Sequence, residues 1–160
     1  MNSKIIIAID AMGGENAPSK NIEGVALFLK KNKNKDDFFF NLFGDEMSIK
    51  SELDKHNISN NFYKIFPSST VVSDEETPLT AIKNSKDSSM WNSINSQIVS
   101  NSNITLSAGN TGVLFVVSRM LLKTIESVSK PALAGLWPNE KNMNVVLDLG
   151  ANVECDDKNL

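Results

Sequence analysis

An α/β fold built on a mainly parallel sheet is the architecture that this sequence of 160 residues predicts. Three observations point to it. Short β-branched or aromatic runs alternate with segments of helical spacing, the pattern of βαβ units. The first run, KIIIAID at 4–10, is continuously apolar and ends at a Gly-rich turn, as a buried strand does. Two further predicted strands also end in turns that carry Gly with Asn, Asp or Ser.

The elements follow in order. After the strand at 4–10 comes a loop, AMGGENAP, and then a helix over 19–31, with Ile22, Val25, Ala26 and Leu29 on one side and lysines at its end. Lysines there oppose the negative end of the helix dipole. The mixed charge run KKNKNKDD at 30–37 is a solvated helix end and turn. A second strand spans 38–43. Gly44 breaks it, and Asp45 caps a helix over 46–56. A third strand, 62–66, stops at Pro67, and a polar loop follows to Pro78. Two helical pieces, 79–84 and 88–99, precede a short fourth strand at 104–106. The tight turn SAGNTG leads into an apolar helix over 113–125. Two last strands, 132–136 and 145–149, are expected to join the same sheet.

Composition narrows the function. Hydrophobic residues make up 41% and charged residues 22%, the mixture of a globular domain rather than a disordered chain. A net charge of −3 gives no basic footprint for nucleic acid. Cys155 is the single cysteine, which rules out an internal disulfide and a cysteine metal cluster, and a reducing cytoplasm is the simplest compartment. The N-terminus lacks the length and cleavage site of a signal peptide. The longest apolar stretch, 113–122, is about half of the ~20 residues that cross a bilayer.

Ligands of open parallel sheets bind beyond the carboxyl ends of the strands. Three loops are expected there: IDAMGGENAP, TLSAGNTG and LDLGANV. The second also opens a helix, so its free N–H groups and the dipole make an anion site to which Asn110 and Thr111 add side chains. It is neither a GxxxxGK[ST] loop nor a GxGxxG fingerprint. Taken singly, each loop reads more readily as an ordinary turn; three at neighbouring strand ends point to a small-anion or phosphate-ester site.

The wording of the loops goes further. DAMGGENAP, SAGNTG, KPAL and LDLGANV, with GDE at 44–46 and KDSSM at 86–90, occur here in order and over essentially the whole chain. Together they resemble the phosphate acyltransferase (PlsX) family of fatty acid/phospholipid synthesis proteins. That resemblance implies a three-layer α/β/α fold like those of isopropylmalate dehydrogenases and phosphotransacetylases. It implies transfer of an acyl group from acyl-[acyl carrier protein] to inorganic phosphate, without cofactor or metal. The acyl-phosphate formed feeds a glycerol-3-phosphate acyltransferase at the membrane. Homodimers, cytoplasmic and peripheral to the inner membrane, are the family's usual state. The family has Asp at Glu15, Arg at Lys130, Ala at Val113 and Asp at Glu154; Lys130 gives up bidentate phosphate binding. Family members are roughly twice as long, so residues 1–160 are expected to form a single α/β domain, the N-terminal half without the C-terminal one.

The needs of that reaction, positioning of phosphate and donors for an oxyanion, suggest the roles. Asn110, Thr111, Gly109 and Gly112, with Ser107, are expected to hold phosphate or the oxyanion. Gly13, Gly14 and Asn16 shape the opposing wall. Lys83 or Lys86 supplies positive charge, and Ser88 and Ser89 supply hydroxyls at a helix start. Asp10, Asp148 and Asn152 fix the loops. His56 is expected to be exposed and idle, Cys155 uninvolved, and Trp91 and Trp137 packing residues. The helix from Val113 is expected in the core or at a dimer interface, with an acyl-chain groove as the alternative. Two other readings stand beside this one: a non-catalytic remnant that folds or binds without turnover, and another enzyme on a similar fold. The absence of a dinucleotide fingerprint speaks against the latter.

Overall fold

A computed structural model describes residues 4–72, 85–99, 101–128 and 130–150. Strand β1 (Ile5–Asp10) leads through a loop with a cis Ala17–Pro18 bond into helix α1 (Ser19–Lys31). Then come β2 (Phe38–Gly44), α2 (Glu46–Lys55), β3 (Tyr63–Pro67), α3 (Ser89–Ile98), β4 (Ile104–Ser107) and α4 (Thr111–Leu121). Single 3₁₀ turns at Lys35–Asp37 and Asn60–Phe62 precede β2 and β3. The predicted helix at 79–84 lies outside the described residues.

These four strands form one parallel sheet in the order β3-β2-β1-β4. Ile7 and Ile9 of β1 stand opposite Phe40 and Leu42 of β2. All four join Ile22 and Val25 of α1 and Ile49 and Leu53 of α2 in one buried core. Side chains alternate across a strand, so Ala8 and Asn41 face the opposite layer. There α3 and α4 pack through Met90, Ile94, Val113 and Val117. Helices on both faces of the sheet make this a three-layer α/β/α fold, the expected class.

Buried serines let α3 lie close to the sheet. Ser93 and Ser96 return hydrogen bonds to Met90 O and Ser93 O, at 2.8 and 2.7 Å. Ser96 Oγ also lies 2.8 Å from Ser102 Oγ, to which Asn41 donates at 3.1 Å. Asn41, Ser93, Ser96 and Ser102 thus find hydrogen-bond partners in this layer, as most buried polar groups do.

Two expectations need correction. The fourth helix starts at Thr111 rather than 113, because Asn110 Oδ1 accepts the Val113 N–H at 3.1 Å and sets the first turn there, and it ends at Leu121 rather than 125. The last two strands do not join the parallel sheet. Strands β5 (Ala134–Pro138) and β6 (Met143–Leu147) pair antiparallel in a separate two-stranded ribbon. Parallel neighbours need a crossover of about a dozen residues or more, and the short segment 139–142 permits only a hairpin. Asn139 Oδ1 closes that hairpin by accepting the N–H groups of Lys141 and Asn142 at 2.8 and 2.7 Å.

Candidate anion site at the strand ends

Pairing of β1 with β4 sets Asp10 opposite Ser107, so the loops that follow these strands are neighbours. Asp10 is 1% exposed. Ser107 Oγ donates to its Oδ2 at 2.7 Å and accepts the Gly109 N–H at 3.1 Å. Oδ1 of Asp10 is buried and finds no hydrogen-bond partner among the described residues.

The first loop runs so close to the second that side chains would not fit. A Cβ on Gly13 would come within 2.5 Å of Asp10 Oδ2 and 2.9 Å of Gly109 N. Gly14 has φ +88, and a Cβ there would stand 2.6 Å from Ala108 O. Gly at these two positions is a requirement of close backbone approach and of the left-handed conformation. Asn21 of α1, which the sequence reading passed over, stitches the first loop: its Nδ2 donates to Ala11 O and Gly13 O, both at 2.9 Å. Asn21 is the third residue of α1, and nothing in the helical spacing singles it out.

The second loop opens α4. Asn110 caps the helix, while Thr111 and Gly112 form its exposed first residues. The free N–H groups of the first turn and the positive dipole end favour an anion at that end. Met90 of α3 reaches the same turn, since a Cβ on Gly109 would lie 2.9 Å from its Cε.

The remaining predicted residues divide. Ser88 caps α3 by accepting the Trp91 N–H at 3.1 Å, and both Ser88 and Ser89 are buried. Lys86 is exposed in the turn before α3, and Asn16 is exposed with φ 58. Asp148 follows β6 with φ 55. Lys83, Asn152 and Cys155 lie outside the described residues. Residues 148–150 leave the ribbon rather than the parallel sheet, yet they still reach the second loop. Leu149 and Gly150 line a cleft of about 330 Å³ with Thr111, Gly112, Phe115, Val116 and Leu133. A second cleft, about 230 Å³, is lined by Asp10, Lys20, Asn21, Gly24, Leu106 and Ser107. Lys20 brings a cation to its rim, one the sequence reading did not choose. Its hydrogen bond to Glu23, at 2.9 Å, raises its pKa and lowers that of Glu23.

His56 is exposed at the end of α2 and Trp91 is half-buried against α3 and α4, both as expected. Trp137 is 63% exposed and does not pack. Its strand lies in the ribbon, where residues 136–138 are all exposed. The α4 helix is buried on one side only, through Val113 and Val117, while Met120 is half-exposed. Among the described residues no His, Cys, Asp or Glu cluster fits a metal ion, and no helix is long and apolar enough to cross a membrane.

Fold and loops define an α/β protein whose candidate site lies where two glycine-rich turns meet beyond adjacent parallel strands. Residues 5–160 match the family described as fatty acid synthesis protein, and the chain belongs to that family. It is 46% identical over 159 residues to a phosphate acyltransferase of Pelagibacter ubique, covering 99% of this chain and 46% of that relative. A phosphate acyltransferase of Magnetococcus marinus is 38% identical over 96% of this chain and 43% of its own length. One from Bradyrhizobium diazoefficiens is 37% identical over 98% and 44%. The chain thus spans about half the length of the curated relatives it matches.

Proposed function

We propose that the chain contributes the anion-binding wall of an acyltransferase that moves a fatty acyl group from acyl-[acyl carrier protein] to inorganic phosphate. The observation that carries the reading is the contact of the Asp10–Gly14 loop with the Ser107–Gly109 turn at the open end of α4. The names of the relatives support the reaction class.

A phosphate oxygen attacks the thioester carbonyl carbon. The C–O bond forms, the carbonyl electrons move onto oxygen, and collapse of that oxyanion expels the carrier thiolate, which takes a proton from water. Phosphate is already anionic at neutral pH, so the site must position and desolvate it rather than deprotonate it. Good positioning of a nucleophile is worth on the order of 7–11 kcal/mol in the best cases. Backbone donors aimed at the developing oxyanion supply much of the rest. In this reading the N–H groups from Gly109 to Gly112 and the Thr111 hydroxyl serve phosphate or the oxyanion. Asn110 orders that turn as a cap, Gly13, Gly14 and Asn16 form the facing wall, and Asp10 and Ser107 lock the two loops. Lys83 or Lys86 compensates charge, Ser88 and Ser89 support α3 at the site, and Asp148 and Asn152 hold the third loop.

Acyl-phosphate made in this way passes to glycerol-3-phosphate acylation. A homodimeric, cytoplasmic enzyme that touches the membrane peripherally fits that handover. Residues 1–160 are the N-terminal domain of the complete enzyme in this proposal. A second reading is a polypeptide that folds and binds without turnover.

The test is phosphate-dependent release of carrier-protein thiol from acyl-[acyl carrier protein] by chain 1–160, with acyl-phosphate trapped by hydroxylamine. Thiol release that needs phosphate and yields the trapped product supports the acyltransferase. Release independent of phosphate would falsify it. No release from a cooperatively folded chain that still binds phosphate, either alone or within a full-length polypeptide of the family's length, selects the second reading.

A further inference from the structure

One side-chain amide of α1 sets how two peptide planes of the first loop are turned. Asn21 Nδ2 donates to Ala11 O and Gly13 O at 2.9 Å each, which engages both of its hydrogens, and Asp10 O lies at 3.5 Å. In a trans peptide the C=O and the N–H that follows it point in opposite directions. The carbonyls of Ala11 and Gly13 are drawn toward α1. The N–H groups of Met12 and Gly14, which share those two peptides, therefore point away from it. Among the described residues neither N–H meets an acceptor. The Gly13 N–H between them turns back to Asp10 O at 3.4 Å.

The direction away from α1 leads to the second loop. Helix α1 packs on one face of the sheet and α4 on the other. The first loop reaches across, and Gly13 and Gly14 approach Gly109 and Ala108. Carbonyl oxygens turned into this space would repel an anion, whereas backbone N–H groups in a turn form an anion-binding concavity. We infer that Asn21 is a positioning residue: it withdraws the Ala11 and Gly13 carbonyls, so that the Met12 and Gly14 N–H groups serve inorganic phosphate from the side facing α4. Asn21 acts through the loop and does not itself touch the anion. The inference rests on the phosphate reading above and adds donors of the first loop to those of the second.

The experiment titrates isotopically labelled chain 1–160 with inorganic phosphate and follows the backbone amides by NMR, with chloride at equal ionic strength as the control. The expected result is saturable shifts of the Met12 and Gly14 amides with the same Kd as those of Thr111 and Gly112. Asn21→Leu keeps the bulk of the side chain and removes its donors. Its phosphate Kd should rise about 10-fold, and Met12 and Gly14 should stop responding while Thr111 and Gly112 still shift. Asn21→Asp should bind no better, since it sets a carboxylate against two carbonyl oxygens. A merely structural tie would lower the stability of Asn21→Leu and leave the phosphate response of Met12 and Gly14 in place. The titration of the unmodified chain decides the matter even if a variant fails to fold. Shifts at Thr111 and Gly112 without Met12 and Gly14, or parental phosphate affinity in Asn21→Leu, would overturn the inference and leave the phosphate reading standing. Absence of a saturable response at every amide would overturn both.

Discussion

Ser107 Oγ donates to Asp10 Oδ2 at 2.7 Å while accepting the Gly109 N–H at 3.1 Å, so one hydroxyl ties the end of β1 to the turn that opens α4. Removing it strands a buried acceptor. Ser107→Ala is expected to cost about 1–3 kcal/mol in chemical denaturation. Adding Asp10→Asn to that variant should recover part of the loss, since it relieves the buried carboxylate of its missing donor. Simple additivity of the two changes would show that the residues are not coupled.

Gly13→Ala places a methyl group 2.5 Å from Asp10 Oδ2 and 2.9 Å from Gly109 N, both ends of the same lock. The loops must separate, at an expected cost of about 1–3 kcal/mol, together with weaker phosphate binding by calorimetry. Gly24→Ala in α1 is the control. A Cβ there meets nothing within 4 Å, and replacing a helical glycine should stabilise by roughly 0.5–1 kcal/mol.

Asn110 separates capping from anion binding. Asn110→Ala should cost about 1 kcal/mol of stability through the lost cap. Asn110→Asp keeps a capping oxygen and suits the helix dipole, so its stability should match the parent's. A negative charge beside the open helix end should nevertheless weaken phosphate binding roughly 5- to 10-fold. Equal phosphate affinity in the parent and in Asn110→Asp would place the anion elsewhere.

Asp45 caps α2, and hydrogen bonds from Ser48, its hydroxyl first and its backbone N–H second, hold the carboxyl below its usual range. A depressed carboxylate pKa stabilises the fold above the unfolded pKa and loses that contribution as pH falls through the folded one. Asp45→Ala should therefore lower Tm by about 2–4 °C at neutral pH. That difference should shrink on acidification below about pH 4. A gap in Tm that stays constant with pH would assign the effect to helix propensity instead.

Strands and helices of the parallel sheet were legible because each local signal agreed with its tertiary role. The run IIIAID is buried from Ile7 to Asp10, Asp45 caps where it should, and α1 spans Ser19–Lys31 as its apolar spacing predicts. The last two strands were legible as strands but not as a hairpin. Apolar content reports burial rather than pairing direction, and the short 139–142 segment was the clue that decides it. The two loops were found through their glycines. Their mutual contact was not, because Asp10 and Ser107 meet only through strand order. Asn21 and Lys20 escaped for a related reason: helical spacing records which side of α1 is apolar, not which polar residue overhangs a loop.

The strand order has a consequence for how the chain acquires its site. Asp10 and Ser107 are 97 positions apart, and β4 pairs with the first strand, not with the third. Closing so large a loop is entropically unfavourable and is rewarded only once the intervening elements are in place. During synthesis from the N-terminus, β1, β2 and β3 can assemble early, but the anion turn stays formless until residues beyond Ser107 have emerged. Site formation thus reports completion of the sheet, and a nascent chain halted before β4 would carry a folded core with nothing to bind.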